Sequence, residues 1–124
     1  NISSGSITSV ARSLLGCSYS YGASGPNSFD CSGFTQYVYS RCGISIPRTS
    51  SAQYASSKHI SKSELRAGDL VFFSNGSSSG SVGHVAIYLG DGMIIHAANS
   101  KTGVCTTSLN STYYTSHYIG AGRY

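Results

Sequence analysis

Residues 29–43, FDCSGFTQYVYSRCG, decide how the rest of the chain is read. Their apolar members Phe34, Tyr37, Val38 and Cys42 recur with the period of a helix. Asp30 stands where a capping side chain accepts the first free N–H groups, and Gly43 where a helix ends. Cys31 therefore heads a helix. A thiol there faces unpaired N–H groups and the positive end of the helix dipole, so a lowered pKa and a nucleophilic role are expected. The competing reading is a small buried apolar residue.

On the N-terminal side, SITSVARSLLG places Ile7, Val10, Ala11, Leu14 and Leu15 on one helical face, with Ser6 as cap and Gly16 as stop. CSYSYGASGPNS, rich in Gly, Pro and Asn, reads as an irregular loop leading to Cys31. On the C-terminal side, Ser50 and Gln53 have capping-box spacing and predict a short helix to about Ser56. The pattern then changes. GDLVFFSN, GHVAIYLGDG, MIIHAANS and GVCTTSL are short β-branched and aromatic runs between turn residues, hence strands, and YYTSHYIGAGRY supplies a last one. Residues 74–81, SNGSSSGS, read as a flexible loop between two strands. Helices first and strands afterwards predict an α+β fold with an antiparallel sheet.

With 124 residues, 40% of them hydrophobic, the chain is expected to form one domain over residues 1–124. Only 10% are charged, with a net charge of +4. That balance suits anionic surroundings, a bacterial wall among them, but no run of five basic residues supports nucleic-acid binding. No apolar stretch approaches the roughly 18 residues of a membrane span. The abrupt opening NISSGSITS suggests a mature product or a domain excised from a longer exported protein.

A nucleophilic thiol needs a base, and histidine suits that task near neutral pH. His59 reads as a surface-loop residue and His117 receives no role. His84 opens one strand and His96 lies in the next. A two-residue turn at Asp91 and Gly92 would pair His84 with Asn99 and put the imidazoles on opposite faces. An odd loop or a bulge would bring them to one face, where one can orient the other. Metal binding finds no CxxC, HxxxH or HExxH spacing. Nor do the acids Asp30, Glu64, Asp69 and Asp91 form a glycosidase pair.

Taken in order, YSYGASGPNSFDCSGF, PRTSSAQ, LRAGDLVFF, GHVAIYLGDG and IIHAA resemble the blocks of the NlpC-type cell-wall cysteine peptidases, from Leu14 to about Ala98 and more loosely to Tyr124. The resemblance implies a compact papain-like domain with N-terminal helices packed on the sheet. It implies Cys31 as nucleophile, His84 as general base, His96 as the residue orienting that base, and Tyr19 beside the oxyanion. Asp30 and Ser32 match positions that hold a free stem-peptide amine in some members, although Asp30 serves equally as a helix cap. Arg48 and Asp69 belong to blocks read as structural. Ala23 departs from the family's usual paired glycines, a change that could alter the shape of the cleft. The implied reaction is hydrolysis of the γ-D-glutamyl to diamino acid bond of peptidoglycan stem peptides, by a secreted or wall-associated monomer without metal or organic cofactor. Two alternatives stay open at this point: an amidase of the related CHAP type, and a wall-binding module without activity. Cys17 and Cys42 could form a disulfide if their helix ends meet, while Cys105 reads as a strand residue.

Overall fold

The computed structural model describes residues 4–25, 27–74 and 82–124. Of the expected loop at 74–81, all but Ser74 lies outside the described residues. Helices come first: α1 (Ser4–Ser13), two short parallel strands β1 (Ser18–Tyr19) and β2 (Ser28–Phe29), α2 (Cys31–Arg41) and α3 (Ser50–Ser56). The sheet strands follow as β3 (Lys58–Ile60), β4 (Leu70–Phe73), β5 (His84–Gly90), β6 (Met93–Asn99), β7 (Gly103–Ser108) and β8 (Tyr118–Arg123), with α4 (Thr112–His117) before the last. The six strands form one antiparallel sheet in the order β3-β8-β4-β5-β6-β7.

Alternation along the strands divides the apolar residues between two faces. Leu70, Phe72, Val85, Ile87, Ile95 and Ala97 pack with Phe29, Phe34 and Val38 beneath α2. Val71, Phe73, Ala86 and Ile94 pack on the other face with Leu109, Tyr114 and Tyr118. Phe34 and Phe29 are both fully buried and meet edge to face, 5.8 Å between ring centroids. Each such side chain contributes about 1.5–3 kcal/mol by leaving water. This packing fixes α2 across β5 and β6.

Several local expectations are corrected. α1 begins at Ser4, so Ser6 lies inside the helix. The cap of α3 is Thr49, whose side chain accepts the Ala52 N–H, while Gln53 is buried and reaches Thr35, the Ser32 carbonyl and the Pro47 carbonyl. Its spacing from Ser50 reflects a tie to α2, not a capping box. His59 lies in an edge strand stacked on Tyr54 at 4.1 Å. The first half of YYTSHYIGAGRY is helix, because Tyr114 turns inward to cover the second face of the sheet. All four cysteines are free thiols, so Cys17 and Cys42 form no disulfide.

Candidate active site

The first turn of α2 is held by its cap. Asp30 Oδ1 accepts the Gly33 N–H at 2.7 Å, and Oδ2 accepts the Gly22 N–H at 3.0 Å. Arg48 grips the same carboxylate from Nη1 at 3.2 Å and Nη2 at 3.0 Å, and its Nη1 also reaches Ser32 Oγ at 2.9 Å. Burial opposes ionisation of Asp30, yet the bonds from Arg48 and Gly33 outweigh it and lower its pKa. Gly33 is required by a close approach: a Cβ there would lie 2.1 Å from the Ala23 carbonyl oxygen. That carbonyl accepts the Asp30 N–H at 2.9 Å, so the loop before β2 is tied to the start of the helix.

Cys31 follows the cap directly and is half-buried. Its thiol lies against the N–H groups of Val85, Ser32 and Cys31 itself, which favour the thiolate. Burial is the larger influence and, with Asp30 nearby, pushes the thiol pKa above its ordinary value of 9.0. The lowered value expected from the helix end is therefore reversed: desolvation outweighs the oriented N–H groups. The bond from Val85 has a structural origin. Pairing of β5 with β6 runs from Gly90 opposite Met93 to Ile87 opposite Ile95 and goes no further toward His84. The paired residues end at Ile87, and the Val85 N–H meets the thiol. This brings Cys31 to the backbone of the residue that follows His84.

The two histidines share a face because of a bulge. The connection is the two-residue Asp91-Gly92 turn, with φ of 54° and 77°, the positive pair that a tight hairpin requires. At the turn Gly90 opposes Met93, but between Gly90 and Tyr88 the register slips, so Tyr88 opposes Ile94 and Ile87 opposes Ile95. One extra residue on β5 is enough to reverse the facing that a regular ladder would impose. His84 Nε2 then lies 2.7 Å from His96 Nδ1.

Both imidazoles are held neutral. His96 is wholly buried, and burial followed by the nearby His84 pushes its pKa down to about 3. Burial pushes His84 down to about 4. Phe73 and Tyr114 supply much of the apolar wall: Phe73 lies 6.1 Å from His84, and Tyr114 lies 5.4 Å from His96, ring centroid to centroid. With both rings neutral, the 2.7 Å bond needs one donor and one acceptor. If His84 Nε2 donates, its Nδ1 carries a lone pair free to receive a proton. His96 then holds its own proton on Nε2, which lies 3.0 Å from Thr107 Oγ1.

A cleft of about 390 Å³ collects Tyr19, Asp30, Cys31, Ser32 and Arg48, and Gly83 of the segment entering β5 also lines it. Tyr19 is placed there by the pairing of β1 with β2, which sets it opposite Phe29. Burial, then the neighbouring Cys31 and Asp30, raises its pKa, so its hydroxyl remains a donor. His59 and His117 lie apart from this cleft, each engaged with a tyrosine ring. Among the described residues no group of His, Cys, Asp or Glu could hold a metal ion. Sequence reasoning missed Thr107 and Tyr114, which touch the histidines across the fold, and treated Arg48 as structural although it lines the cleft. The nearness of PRTSS to the helix carries no local signal of that role.

The model of the NlpC/P60 family matches residues 16–123. A probable endopeptidase p60 of Listeria monocytogenes is 45% identical over 117 residues, 94% of this chain and 23% of that protein. A gamma-D-glutamyl-L-lysine dipeptidyl-peptidase of Bacillus cereus is 39% identical over 118 residues, 95% of this chain and 35% of that protein. The crystal structure of an NlpC/P60 family protein from Bacillus cereus superposes with a TM-score of 0.93 at 38% identity, covering 98% of this chain and 40% of the other. The chain thus spans well under half the length of these relatives.

Proposed function

The chain belongs to the NlpC/P60 family of peptidoglycan hydrolases, and from that premise we propose that it cleaves the γ-D-glutamyl to diamino acid bond of stem peptides with Cys31 as nucleophile. The observation that carries the reading is the sequence of contacts from the thiol to the Val85 N–H and from His84 to His96. His84 Nδ1 takes the thiol proton as the sulfur attacks the amide carbonyl. His84 Nε2 donates to His96 Nδ1, which keeps the ring in the tautomer and orientation of a base. Charge developing on the carbonyl oxygen is met by the Cys31 N–H and the Tyr19 hydroxyl. The His84 imidazolium then protonates the leaving amine, and the acyl group is left as a thioester on Cys31. Water gives a proton to His84, attacks that thioester, and releases the carboxylate and the thiol.

Asp30 and Ser32 border the place where the N-terminal part of the stem would lie. Asp30 already accepts from Arg48 and two backbone groups, so its first task is to hold the helix start. Ser32 is buried with its hydroxyl tied to Arg48 and Asp30, so the exposed edge of the Arg48 guanidinium remains to meet the substrate. The enzyme acts as a monomer outside the cell or at its wall, where the stem peptides are.

The test is digestion of defined muropeptides by the protein and by Cys31→Ala, with products read by mass spectrometry. Fragments split after D-glutamate, made only by the intact thiol, are expected. Release of whole stem peptides would point instead to an amidase, and binding without cleavage to a wall-binding module.

A further inference from the structure

We propose that Thr107 is a positioning residue for the His84 base, acting through His96. This role rests on the reading of His84 as a base but belongs to a different part of the molecule, strand β7. Thr107 of β7 stands opposite Ile94 of β6, and Cys105 stands opposite His96. Thr107 therefore shares the histidine face one diagonal step from His96, and its Oγ1 lies 3.0 Å from His96 Nε2. The three side chains form one line of bonds, from His84 Nε2 to His96 Nδ1 and from His96 Nε2 to Thr107 Oγ1.

The direction of the line matters. When His84 takes a proton it must donate from Nε2, so His96 must accept on Nδ1 and carry its proton on Nε2. A wholly buried His96 needs an acceptor for that proton. Among the described residues, His96 Nε2 forms no hydrogen bond but the one to Thr107. Phe73 and Tyr114 present ring atoms to it, Tyr114 edge-on to His96. Cys105 lies across the ladder and gives at best a weak sulfur acceptor. Cys31 and its neighbours Asp30 and Tyr19 line the cleft instead. Thr107 supplies a hydroxyl oxygen in line with Nε2. Without it, the flow of bonds can reverse, leaving His96 to donate to His84 and His84 to hold its proton toward the thiol, the wrong tautomer for a base.

The experiment compares wild type with Thr107→Val, which keeps shape and β-branching, and Thr107→Ser, which restores the oxygen. Two readouts are taken across pH: kcat/KM on stem peptide, and the rate at which iodoacetamide alkylates Cys31. Val is expected to slow both by roughly tenfold or more, the cost of an unsatisfied buried donor. It is also expected to move the acid limb of the kcat/KM profile to lower pH, since the protonated pair loses its acceptor. Ser is expected to recover rate and limb together. An unchanged alkylation rate and limb in the Val protein, or a Ser protein no better than Val, would overturn the proposal. If Val does not fold by thermal melt, Thr107→Ala takes its place under the same criteria. Because alkylation needs no substrate, failure of the stem-peptide reading leaves this test intact: no cleavage by wild type with a Thr107-dependent alkylation rate would separate the two.

Discussion

Two clusters flank Cys31, and both contain groups whose pKa is lowered, with opposite results. At the start of α2, Asp30 is lowered by the Arg48 guanidinium and backbone N–H groups, and so keeps its charge. On strands β5 and β6, His84 and His96 are lowered by burial, and so keep their neutrality. The carboxylate is saturated with donors and serves as scaffold. Among the described residues the imidazoles bond only to each other and to Thr107, and one ring nitrogen of His84 is left to work. Lowering the pKa of an acid fixes a charge in place, whereas lowering that of a base keeps it uncharged, with its lone pair vacant but its hold on a proton weakened.

Removing His84, the proposed base, breaks the comparison most severely. His84→Ala is expected to cut kcat/KM on stem peptides by about 10²–10⁴-fold, the usual worth of a general base. The loss would be measured against Asp30→Asn, whose effect should fall mainly on stability. Next comes the pH profile of activity. One proton shared between a raised thiol and a depressed imidazole gives a broad bell. Its acid limb is expected well below 6.5, the ordinary histidine value, and its alkaline limb above the ordinary thiol value of 9.0. Initial rates between pH 3 and 11 would show both limbs.

Stability follows the same logic. In the unfolded chain an imidazole takes its proton near 6.5, but in the folded chain His84 waits until about 4 and His96 until about 3. Between those values the unfolded state binds more protons, so acid favours unfolding. The melting temperature is expected to fall as pH drops from 6.5 toward 4, and a His96→Phe variant should flatten that fall. Asp30 adds its own loss only lower, as pH falls through its depressed pKa. At the scaffold, Asp30→Ala removes a cap and strands Arg48, with an expected cost of about 2 kcal/mol in denaturant unfolding. Thr49→Ala, which removes only the cap of α3, should cost about 1 kcal/mol.

What could be read from the sequence follows the range of the forces involved. Asp30 as cap, Cys31 as first helical residue and the four central strands are set by local periodicity and local hydrogen bonding, and each was legible. The hairpin was half legible. Asp91-Gly92 announces its turn, but the slip between Gly90 and Tyr88 that brings His84 to His96 depends on neighbours on both sides of β5. The helix at Thr112–His117 was hidden by aromatic residues that suit a strand equally well, and only packing of Tyr114 on Phe73 decides it. The grip of Arg48 on Asp30 and the bond from His96 to Thr107 join distant segments, and no spacing rule records them. The thiol illustrates the limit most clearly. A helix end argues for a lowered pKa, and burial, invisible in the local sequence, reverses it.

The most direct test of the account is a nitrogen-15 NMR titration of the two imidazoles in the unmodified protein. Both rings are expected to be neutral at pH 7 and to stay so to below pH 5, with His84 protonated on Nε2 and bare on Nδ1. An imidazolium at neutral pH, or a His84 proton on Nδ1, would contradict the claim that a buried, neutral histidine pair holds a base ready for Cys31.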